Sequence, residues 1–468
     1  MKTLLFLDDW FIDARVDVVR HLVQPTLSRE IIPPKSPGQP PRVLWHPGRH
    51  CYETTVGYEG DRPVVKESTY GVTWHTGPRR TLELVGPEPE GCQFDPKVVL
   101  APYGGFDVCS PIFDDTWDRD PARRYKRLFF PFTNRATGVG GIEGGPGMVG
   151  CSADGLHWTI NPSHLWYDVP NGSDTLNNLI FDPRRRLWMA FCRRCNCDRR
   201  VAVTESPDLE HWTDPRVIVH PDAIDPAGLQ FYAMPALWYE GTFIGAAQRY
   251  QVPLHDEAEP RWAKMSGKTD GQLVYSYDGQ IWMRPSREAF IPRSQPGWPG
   301  PRGSVYPIQF RREPGRLVFL GLGFAQNHAL SDPQTPTVEY ELRQDGFCYL
   351  EPVGDCGEVH LRAICPQDRG RITLNVQAER QGYVVARVVE YETFSSYQVI
   401  EGYDWDDCLP ITGDHLAAKL RWKQHADLSA LAGRRVRVEL RLYDARLYAV
   451  RAECGLWYTN TPEPVEWV

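Results

Sequence analysis

Carboxylate side chains near the starts of predicted strands are the residues of this sequence best suited to catalysis. They are Asp9, Glu53, Asp107 and Asp174. Two carboxyl groups held close together can divide the work of a hydrolysis: one donates a proton to the leaving group, and the other activates water or attacks as a nucleophile. A third carboxylate can hold the others in place and shift their pKa values. The four residues lie far apart in the chain, so the fold must bring them together.

Four polar side chains in the same predicted regions could contact a substrate: Asn177, Arg193, Gln230 and Tyr232. Arg193 ends the strand LWMAFCR, where it could reach a substrate hydroxyl or simply face solvent. Asn177 follows Asp174 at the start of a predicted strand. The alternative interpretation of Asp174 is that its side chain only caps the turn before this strand.

A repeated turn indicates which elements position these residues. The pattern Ser-x-Asp-Gly-x-x-Trp occurs in CSADGLHW and YSYDGQIW, SPDLEHW has Leu in place of Gly, and ESTYGVTW has Tyr70 in place of Asp. An Asp side chain can accept hydrogen bonds from nearby backbone N–H groups, and Gly tolerates positive φ. The turn is therefore interpreted as scaffold, with the Trp packing between neighbouring sheets.

Short predicted strands recur around these turns in units of about 55 to 85 residues, which is typical of β-propeller blades. We count five blades within residues 1–345, beginning near His50, Phe106, Asp174, Gln230 and Ser304. A sixth blade is the alternative if residues 1–50 hold more strand. The N-terminal LLFLDDWFI is expected to pair with the last blade, because closing the ring hides the sheet edges.

The innermost strands of a propeller line its central channel, and their first residues face one mouth. The endings IFDD, IFDP and LWYEG align three of these strands. Counting back eight residues from each ending reaches Phe106, Asp174 and Tyr232, and the same count in blade one reaches Cys51. The candidate residues should therefore meet at the hub.

The chain changes character at about Leu350. Segments such as RITLNVQAE and YVVARVVEY alternate apolar and polar residues, as in a half-buried antiparallel sheet. Residues 350–468 are predicted to form a separate β-sandwich, so the expected fold class is all-β, a five-bladed propeller followed by a sandwich.

These features resemble the five-bladed glycoside hydrolases of families 32, 43 and 68, and in particular bacterial relatives of family 32. SPDLEHWT is similar to their S-x-D-L-x-x-W blade element. Phe6 to Ile12 matches F-x-D-D-x-x-I, and Asp120 to Lys126 matches D-P-x-x-R-Y-K. The resemblance covers nearly the whole chain, although the W-M-N-D-P-N-G motif of family 32 is absent.

The resemblance also implies roles for individual residues. By position, Asp174 is similar to the orienting carboxylate, and Glu53 or Asp9 would supply the base or nucleophile. Gln230 and Tyr232 occupy the region where the resemblance would place the general acid, a Glu. The acid would then come from Asp107, Asp225 or Glu143. Arg119-Asp120-Pro121 is expected to be a structural loop.

Composition excludes several other classes. The net charge of −8 without a basic stripe argues against nucleic acid, and no apolar run is long enough for a transmembrane helix. Twelve scattered Cys without an export signal favour a reducing cytoplasm. Cys192, Cys195 and Cys197 are either a metal site or an ordinary strand end. No cofactor is predicted, and nothing specifies a structural Ca²⁺.

Three functions remain open. The first is a furanosidase-type glycoside hydrolase, such as a fructosidase or an arabinosidase, whose partner is an oligosaccharide or glycoside. The second is a carbohydrate-binding propeller without catalysis. The third is a sialidase-like hydrolase, for which Tyr239-Glu240 would be the nucleophile pair, although these residues fall at the far end of the inner strand.

Overall fold

The computed structural model describes residues 1–35, 42–59, 62–94, 110–130, 132–134, 146–167, 173, 175–195, 198–253, 267–294, 303–325, 336–393 and 396–456. Its strands are β1 (Lys2–Leu5), β2 (Ile12–Val16), β3 (Val18–Leu22), β4 (Thr26–Ile31), β5 (Leu44–His46), β6 (Cys51–Glu59), β7 (Arg62–Ser68), β8 (His75–Thr76), β9 (Thr81–Leu84), β10 (Cys92–Phe94), β11 (Phe113–Asp114), β12 (Tyr125–Phe129), β13 (Phe132–Asn134), β14 (Gly147–Ser152), β15 (His157–Tyr167), β16 (Asn178–Asp182), β17 (Leu187–Cys195), β18 (Arg199–Ser206), β19 (Arg216–Val219), β20 (Leu229–Phe231), β21 (Ala236–Tyr239), β22 (Thr242–Gln251), β23 (Lys268–Ser276), β24 (Ser304–Glu313), β25 (Arg316–Phe324), β26 (Thr337–Arg343), β27 (Cys348–Pro352), β28 (Cys356–Leu361), β29 (Ile364–Pro366), β30 (Ile372–Thr393), β31 (Ser396–Val399), β32 (Gly413–Lys419), β33 (Val436–Ala452) and β34 (Cys454–Leu456). Among the residues described, two short 3-10 helices span Pro121–Arg123 and Ser429–Leu431.

The chain forms two compact units. The first comprises Met1–Gln24, Arg312–Leu317 and Leu342–Val468, and the second comprises Pro25–Arg311 and Val318–Glu341. The second unit is the propeller. Its first residue is Pro25, whereas the sequence analysis began the propeller at residue 1.

The predicted all-β fold with a five-bladed propeller is confirmed. In the described residues the blades are the sheets β5-β6-β7-β8, β11-β12-β14-β15-β9, β16-β17-β18-β19, β20/β21-β22-β23 and β24-β25-β26-β4. In the last blade, β4 pairs antiparallel with β26, so a strand from the N-terminal side of blade one completes blade five. This pairing closes the ring.

The prediction that the N-terminal segment LLFLDDWFI closes the ring was wrong. LLFLDDWFI belongs to the first unit, where β1 pairs with β33 and β2 with β28. Leu4, Leu5 and Phe6 are almost fully buried there. Their apolar run therefore completes a different core, and the more polar β4 takes the closing position.

The repeated turn has one geometry in three blades. Ser206 Oγ accepts a hydrogen bond from Leu209 N at 2.8 Å, and Asp208 Oδ1 accepts bonds from Glu210 N and His211 N, each at 2.8 Å. The turns at Ser152 and Ser276 repeat these contacts. The pattern is therefore scaffold, as predicted.

The backbone conformation at the fourth position of the turn explains why Gly occurs there. The φ values are 72° at Gly71, 75° at Gly155, 70° at Leu209 and 73° at Gly279, a region that L side chains rarely adopt. A Cβ on Gly155 would also lie 2.5 Å from His46 of the preceding blade. Positive φ and close packing between blades both favour Gly here.

An ion-pair cluster joins blade five to blade one, and we call it the closing cluster: Arg29, Trp45, Tyr52, Arg311 and Glu339. Arg29 Nε donates to Glu339 Oε1 at 3.0 Å, and the Tyr52 hydroxyl donates to the same carboxylate. The Arg311 guanidinium lies 4.2 Å from the centre of the Trp45 ring and donates to the Tyr52 hydroxyl at 3.3 Å. Glu339 is only 2% exposed. Residues of β4, β5, β6, β24 and β26 thus meet at the seam of the ring.

The first unit contains one large curled sheet. Eleven strands, β1 to β3 and β27 to β34, are linked by hydrogen bonds, and the long strands β30 and β33 form its centre. The sequence predicted a β-sandwich within residues 350–468, and that architecture stays a prediction. In the described residues, the strands of this region form one curled sheet that also includes the N-terminal strands β1 to β3. None of the helices described is long and apolar enough to cross a membrane.

Candidate functional site

Three tyrosines pack at the hub of the propeller, and we call them the hub tyrosines: Tyr232, Tyr250 and Tyr306. The Tyr232 ring centre lies 5.6 Å from that of Tyr250 and 6.0 Å from that of Tyr306. Tyr232 follows the inner strand β20, Tyr306 lies near the start of β24, and Tyr250 near the end of β22. All three tyrosines are buried, at 2%, 0% and 4% exposure, and belong to one apolar cluster that joins several blades.

Two arginines lie on the hub tyrosines. The guanidinium carbons of Arg193 and Arg199 are 4.9 and 5.3 Å from the centre of the Tyr232 ring, and that of Arg199 is also 5.0 Å from the Tyr250 ring. Gln230 Oε1 accepts a hydrogen bond from the Arg199 guanidinium at 3.0 Å. The structure therefore brings together Arg193, Gln230 and Tyr232, three of the residues selected for substrate contact.

Asn177, the fourth of these residues, holds the neighbouring loop. Its amide nitrogen donates to the carbonyl oxygens of Thr175 at 2.9 Å and Ser173 at 3.3 Å. The Ser173 hydroxyl donates to Asn177 Oδ1 at 2.7 Å and accepts from Arg193 N at 2.9 Å. Asn177 is 2% exposed, and these contacts give it a role in fixing the loop to β17.

Two of the predicted carboxylates, Asp107 and Asp174, lie outside the described residues, as does Glu143. Ser173 and Thr175, on either side of Asp174, are buried. Asp107 and Asp174 therefore remain predictions from the sequence.

Glu53 occupies a different position from the one predicted. The count in blade one assumed that β6 is the innermost strand, but β6 is second, because the three-residue strand β5 precedes it. The Glu53 carboxylate is 4% exposed and forms a two-bonded ion pair with Arg80. Burial opposes its ionisation, yet the charge of Arg80 lowers the pKa of Glu53 below its usual range. This buried ion pair is a structural contact of β6 with the residue before β9, and the catalytic role of Glu53 stays a prediction from the sequence.

Asp9 belongs to the first unit, where it is half-exposed and pairs with Arg15 and Arg20. It is therefore not part of a propeller blade, and its role as a catalytic carboxylate stays a prediction from the sequence. Asp225, one of the alternative acids, is bound by the guanidinium groups of Arg284 and Arg287 at 2.8 and 3.0 Å.

Two further predictions concern motifs. Asp120 caps the 3-10 helix Pro121–Arg123 by accepting from Ala122 N at 2.9 Å, which fits the structural interpretation of its loop. Cys192 lies in the core of its blade, where burial raises the pKa of its thiol to about 12. In the part of the chain that the structure describes, no three His, Cys, Asp or Glu side chains are arranged to hold a metal.

The sequence analysis missed Arg199 and Tyr250. Both lie on strands other than the innermost one: Arg199 begins β18 and Tyr250 precedes the last residue of β22. Aligning only the inner strands could not find them. The available signal was the hairpin itself, since the end of LWMAFCRRC and the start of RRVAVTES must lie beside each other.

No protein-family model matches the chain, and no curated protein matches it. Matches among solved structures include a family 32 β-fructofuranosidase from Bombyx mori, with 11% identity, a TM-score of 0.39, and 91% of this chain and 94% of that chain covered. An endo-arabinase from Bacteroides thetaiotaomicron matches with 13% identity, a TM-score of 0.37, and 68% and 97% coverage. An N-acetylgalactosamine deacetylase from F. plautii matches with 13% identity, a TM-score of 0.42, and 71% and 95% coverage. Propeller glycoside hydrolases of families 32 and 43 are thus among the matches, at distances too great to transfer any residue's role.

Proposed function

We propose that this protein acts on a carbohydrate bound at the propeller hub, as a glycoside hydrolase of the furanosidase type. The observation that supports the proposal is the convergence of Arg193, Gln230 and Tyr232 with Tyr250 and Tyr306. Tyrosine rings can pack on the apolar face of a sugar while their hydroxyls contact its polar groups. Guanidinium and amide groups provide the hydrogen bonds that fix its orientation.

We assign catalysis to two carboxylates that the sequence predicts, Asp174 and Asp107. Asp174 is the first candidate, because Ser173 and Thr175 beside it are buried and held by Asn177. Asp107 is the second candidate, as the general acid. The proposal requires two carboxyl groups about 5 to 10 Å apart across the bound glycosidic bond.

The test is turnover of a panel of aryl furanosides and oligosaccharides by purified protein and its variants. Asp174→Asn keeps the size of the side chain and removes the charge, so we expect activity to fall at least about 100-fold. Asp214→Asn is the control, since Asp214 is exposed in the loop after a repeated turn. Turnover by Asp174→Asn equal to that of the control would remove Asp174 from the mechanism.

A carbohydrate-binding propeller without catalysis is the second candidate. The described hub residues that contact one another carry phenol, guanidinium and amide groups. This set of groups favours carbohydrate binding without catalysis. Calorimetric binding of an oligosaccharide that Tyr232→Ala weakens, with no turnover of any substrate in the panel, would select this function over hydrolysis.

A further inference from the structure

His46 is a fully buried histidine at the contact between blades one and two. It ends β5, the inner strand of blade one, and its ring lies against Gly155 in the repeated turn of blade two. A Cβ on Gly155 would lie 2.5 Å from Nε2 and from Cε1 of that ring. The His46 ring also meets the ring of Tyr125, on β12 of blade two, with 6.0 Å between the ring centres. We call the contact of His46 with Gly155 and Tyr125 the blade joint.

A hydrogen bond at Nδ1 requires the neutral form of the His46 ring. The backbone N–H of Arg49, in the turn between β5 and β6, donates to His46 Nδ1 at 3.3 Å. This bond uses the lone pair of Nδ1, so the proton of the neutral ring is on Nε2, beside the Gly155 backbone. A further proton must therefore bind Nδ1, where it would face the Arg49 N–H group. Protonation of His46 breaks this bond and places two donors against each other.

The carboxylates near His46 are bound to arginines. Arg80 donates to Glu53 at 3.1 Å, and the Arg49 guanidinium donates to Glu67 at 3.0 and 2.7 Å. Glu53, Glu67 and Arg80 are each 6% exposed or less, so water screens their charges poorly. The ionisable groups that face His46 or its direct neighbours are Arg49, Cys51, Glu53 and Glu67 of blade one, Arg80 before β9, and Tyr125, Arg127 and Asp154 of blade two.

Burial lowers the pKa of His46 below its usual range. The Glu53 carboxylate opposes this shift, whereas the charges of Arg80 and Arg49 add to it. In the unfolded chain a histidine binds a proton at about pH 6.5, and His46 in the folded chain binds it only at lower pH. The unfolded state therefore holds more protons in this range, and the stability of the fold decreases as the pH falls below about 6.5.

We propose that His46 is an acid-sensitive switch that weakens the blade joint at mildly acidic pH. When a proton from water binds Nδ1, the bond from Arg49 is lost, and a buried positive charge lies against Gly155 and beside Arg80. The joint then opens more often. This switch is part of the scaffold and does not depend on what binds at the hub.

The experiment measures amide hydrogen exchange of the full-length protein by mass spectrometry at pH 7.5 and pH 5.5. Each rate is corrected for the intrinsic pH dependence of exchange, and peptides that cover β5 and the turn 152–158 report on the blade joint. An opened state in which His46 has a pKa of about 6.5 is favoured up to about 10-fold by this change in pH. We therefore expect the protection of these peptides to fall about 3- to 10-fold. Carboxylates of ordinary pKa stay ionised throughout this range.

Two variants locate the effect. His46→Gln does not titrate, and its amide oxygen can accept the bond from the Arg49 N–H, so protection of the blade joint should change less than about twofold between the two pH values. His75→Gln is the matched control, because His75 is an exposed histidine on β8 of the same blade. This variant should keep the pH dependence of the wild type. Thermal melting at pH 7.5 verifies that each variant is folded.

Two results would overturn the inference. One is an equal loss of protection in the wild type and in His46→Gln, which would assign the pH dependence to other groups. The other is unchanged protection of the blade joint in the wild type between pH 7.5 and pH 5.5. If His46→Gln does not fold, a pH series of the wild type decides: a loss of protection that begins near pH 6.5 supports the switch, and one that begins only below about pH 5, where carboxylates titrate, contradicts it.

Discussion

The closing cluster gives the sharpest prediction about what holds the propeller together. Glu339→Gln keeps the shape of the side chain but removes the negative charge that faces Arg29 and Arg311. The Glu339 side chain is 3% exposed, and that of Arg311 is 9% exposed. Removing one partner of a buried ion pair costs about 3 to 5 kcal/mol, because the other charge stays buried without compensation.

This cost can be converted into a melting temperature. For a unit the size of the propeller, which spans Pro25–Arg311 and Val318–Glu341, the average entropy of unfolding gives a loss of about 1.5 °C per kcal/mol. Glu339→Gln should therefore lower the melting temperature of the propeller by about 5 to 8 °C. Differential scanning calorimetry of the full chain measures this shift directly.

The control is Glu83→Gln, because Glu83 is exposed on the outer strand β9. A surface change of this kind alters the free energy of unfolding by no more than about 0.5 kcal/mol, which is below about 1 °C here. The double variant with Tyr52→Phe should lose less than the sum of the single losses, because both changes remove the same hydrogen bond. If Glu339→Gln has the same melting temperature as Glu83→Gln, the closing cluster does not stabilise the ring.

Three further predictions concern groups with shifted pKa values. Burial and the bond to Glu339 raise the pKa of Tyr52 to about 12. Its stabilising contribution, about 2 to 3 kcal/mol, is complete below pH 10 and is lost as the pH rises to 12, so urea unfolding of Tyr52→Phe should depend less on pH in that range. Glu53→Gln should lower the free energy of unfolding by about 3 kcal/mol, the lower end of the range for a broken buried ion pair, because Arg80 keeps only its 3.8 Å contact with Glu67; urea denaturation measures this loss. The N–H groups of His211 and Glu210 hold the pKa of Asp208 below its usual range, so Asp208→Ala should cost about 1 kcal/mol at pH 7 and less as the pH falls below 4, as measured by acid titration of thermal stability.

The repeated turn made most of the propeller predictable. Each copy fixes the end of the third strand of a blade, so the strands before it could be counted backward. The copy that lacks Gly shows why the pattern tolerates change. Leu209 adopts a φ of 70°, which costs about 1 to 2 kcal/mol, yet its side chain is 5% exposed and packs in the apolar cluster with Leu128 and Trp188. Burial of a leucine side chain offsets a strain of that size.

Blade one shows where the same reasoning fails. Its inner strand β5 has three residues and no shared ending, so the count began on the next strand. Because the count was displaced by one strand, it placed Glu53 at the hub, whereas Glu53 forms a buried ion pair with Arg80. The N-terminal segment was misplaced for a related reason. An apolar strand such as β1 is suited to the core of either unit, and only pairing over long sequence distances decides between them.

The segment FCRRCNCDRR illustrates how far local pattern determines function. From the sequence, its cysteines were either a metal site or an ordinary strand end, and Arg193 was either a substrate contact or a solvated strand end. In the structure the segment runs from β17 into β18, and alternation along each strand separates the arginines by face. One pair contacts Tyr232, whereas Arg194 and Arg200 face away from it. The residue types were visible in the sequence, but their chemistry depends on register: a slip of one residue would exchange the two pairs and remove the positive charge from the Tyr232 ring.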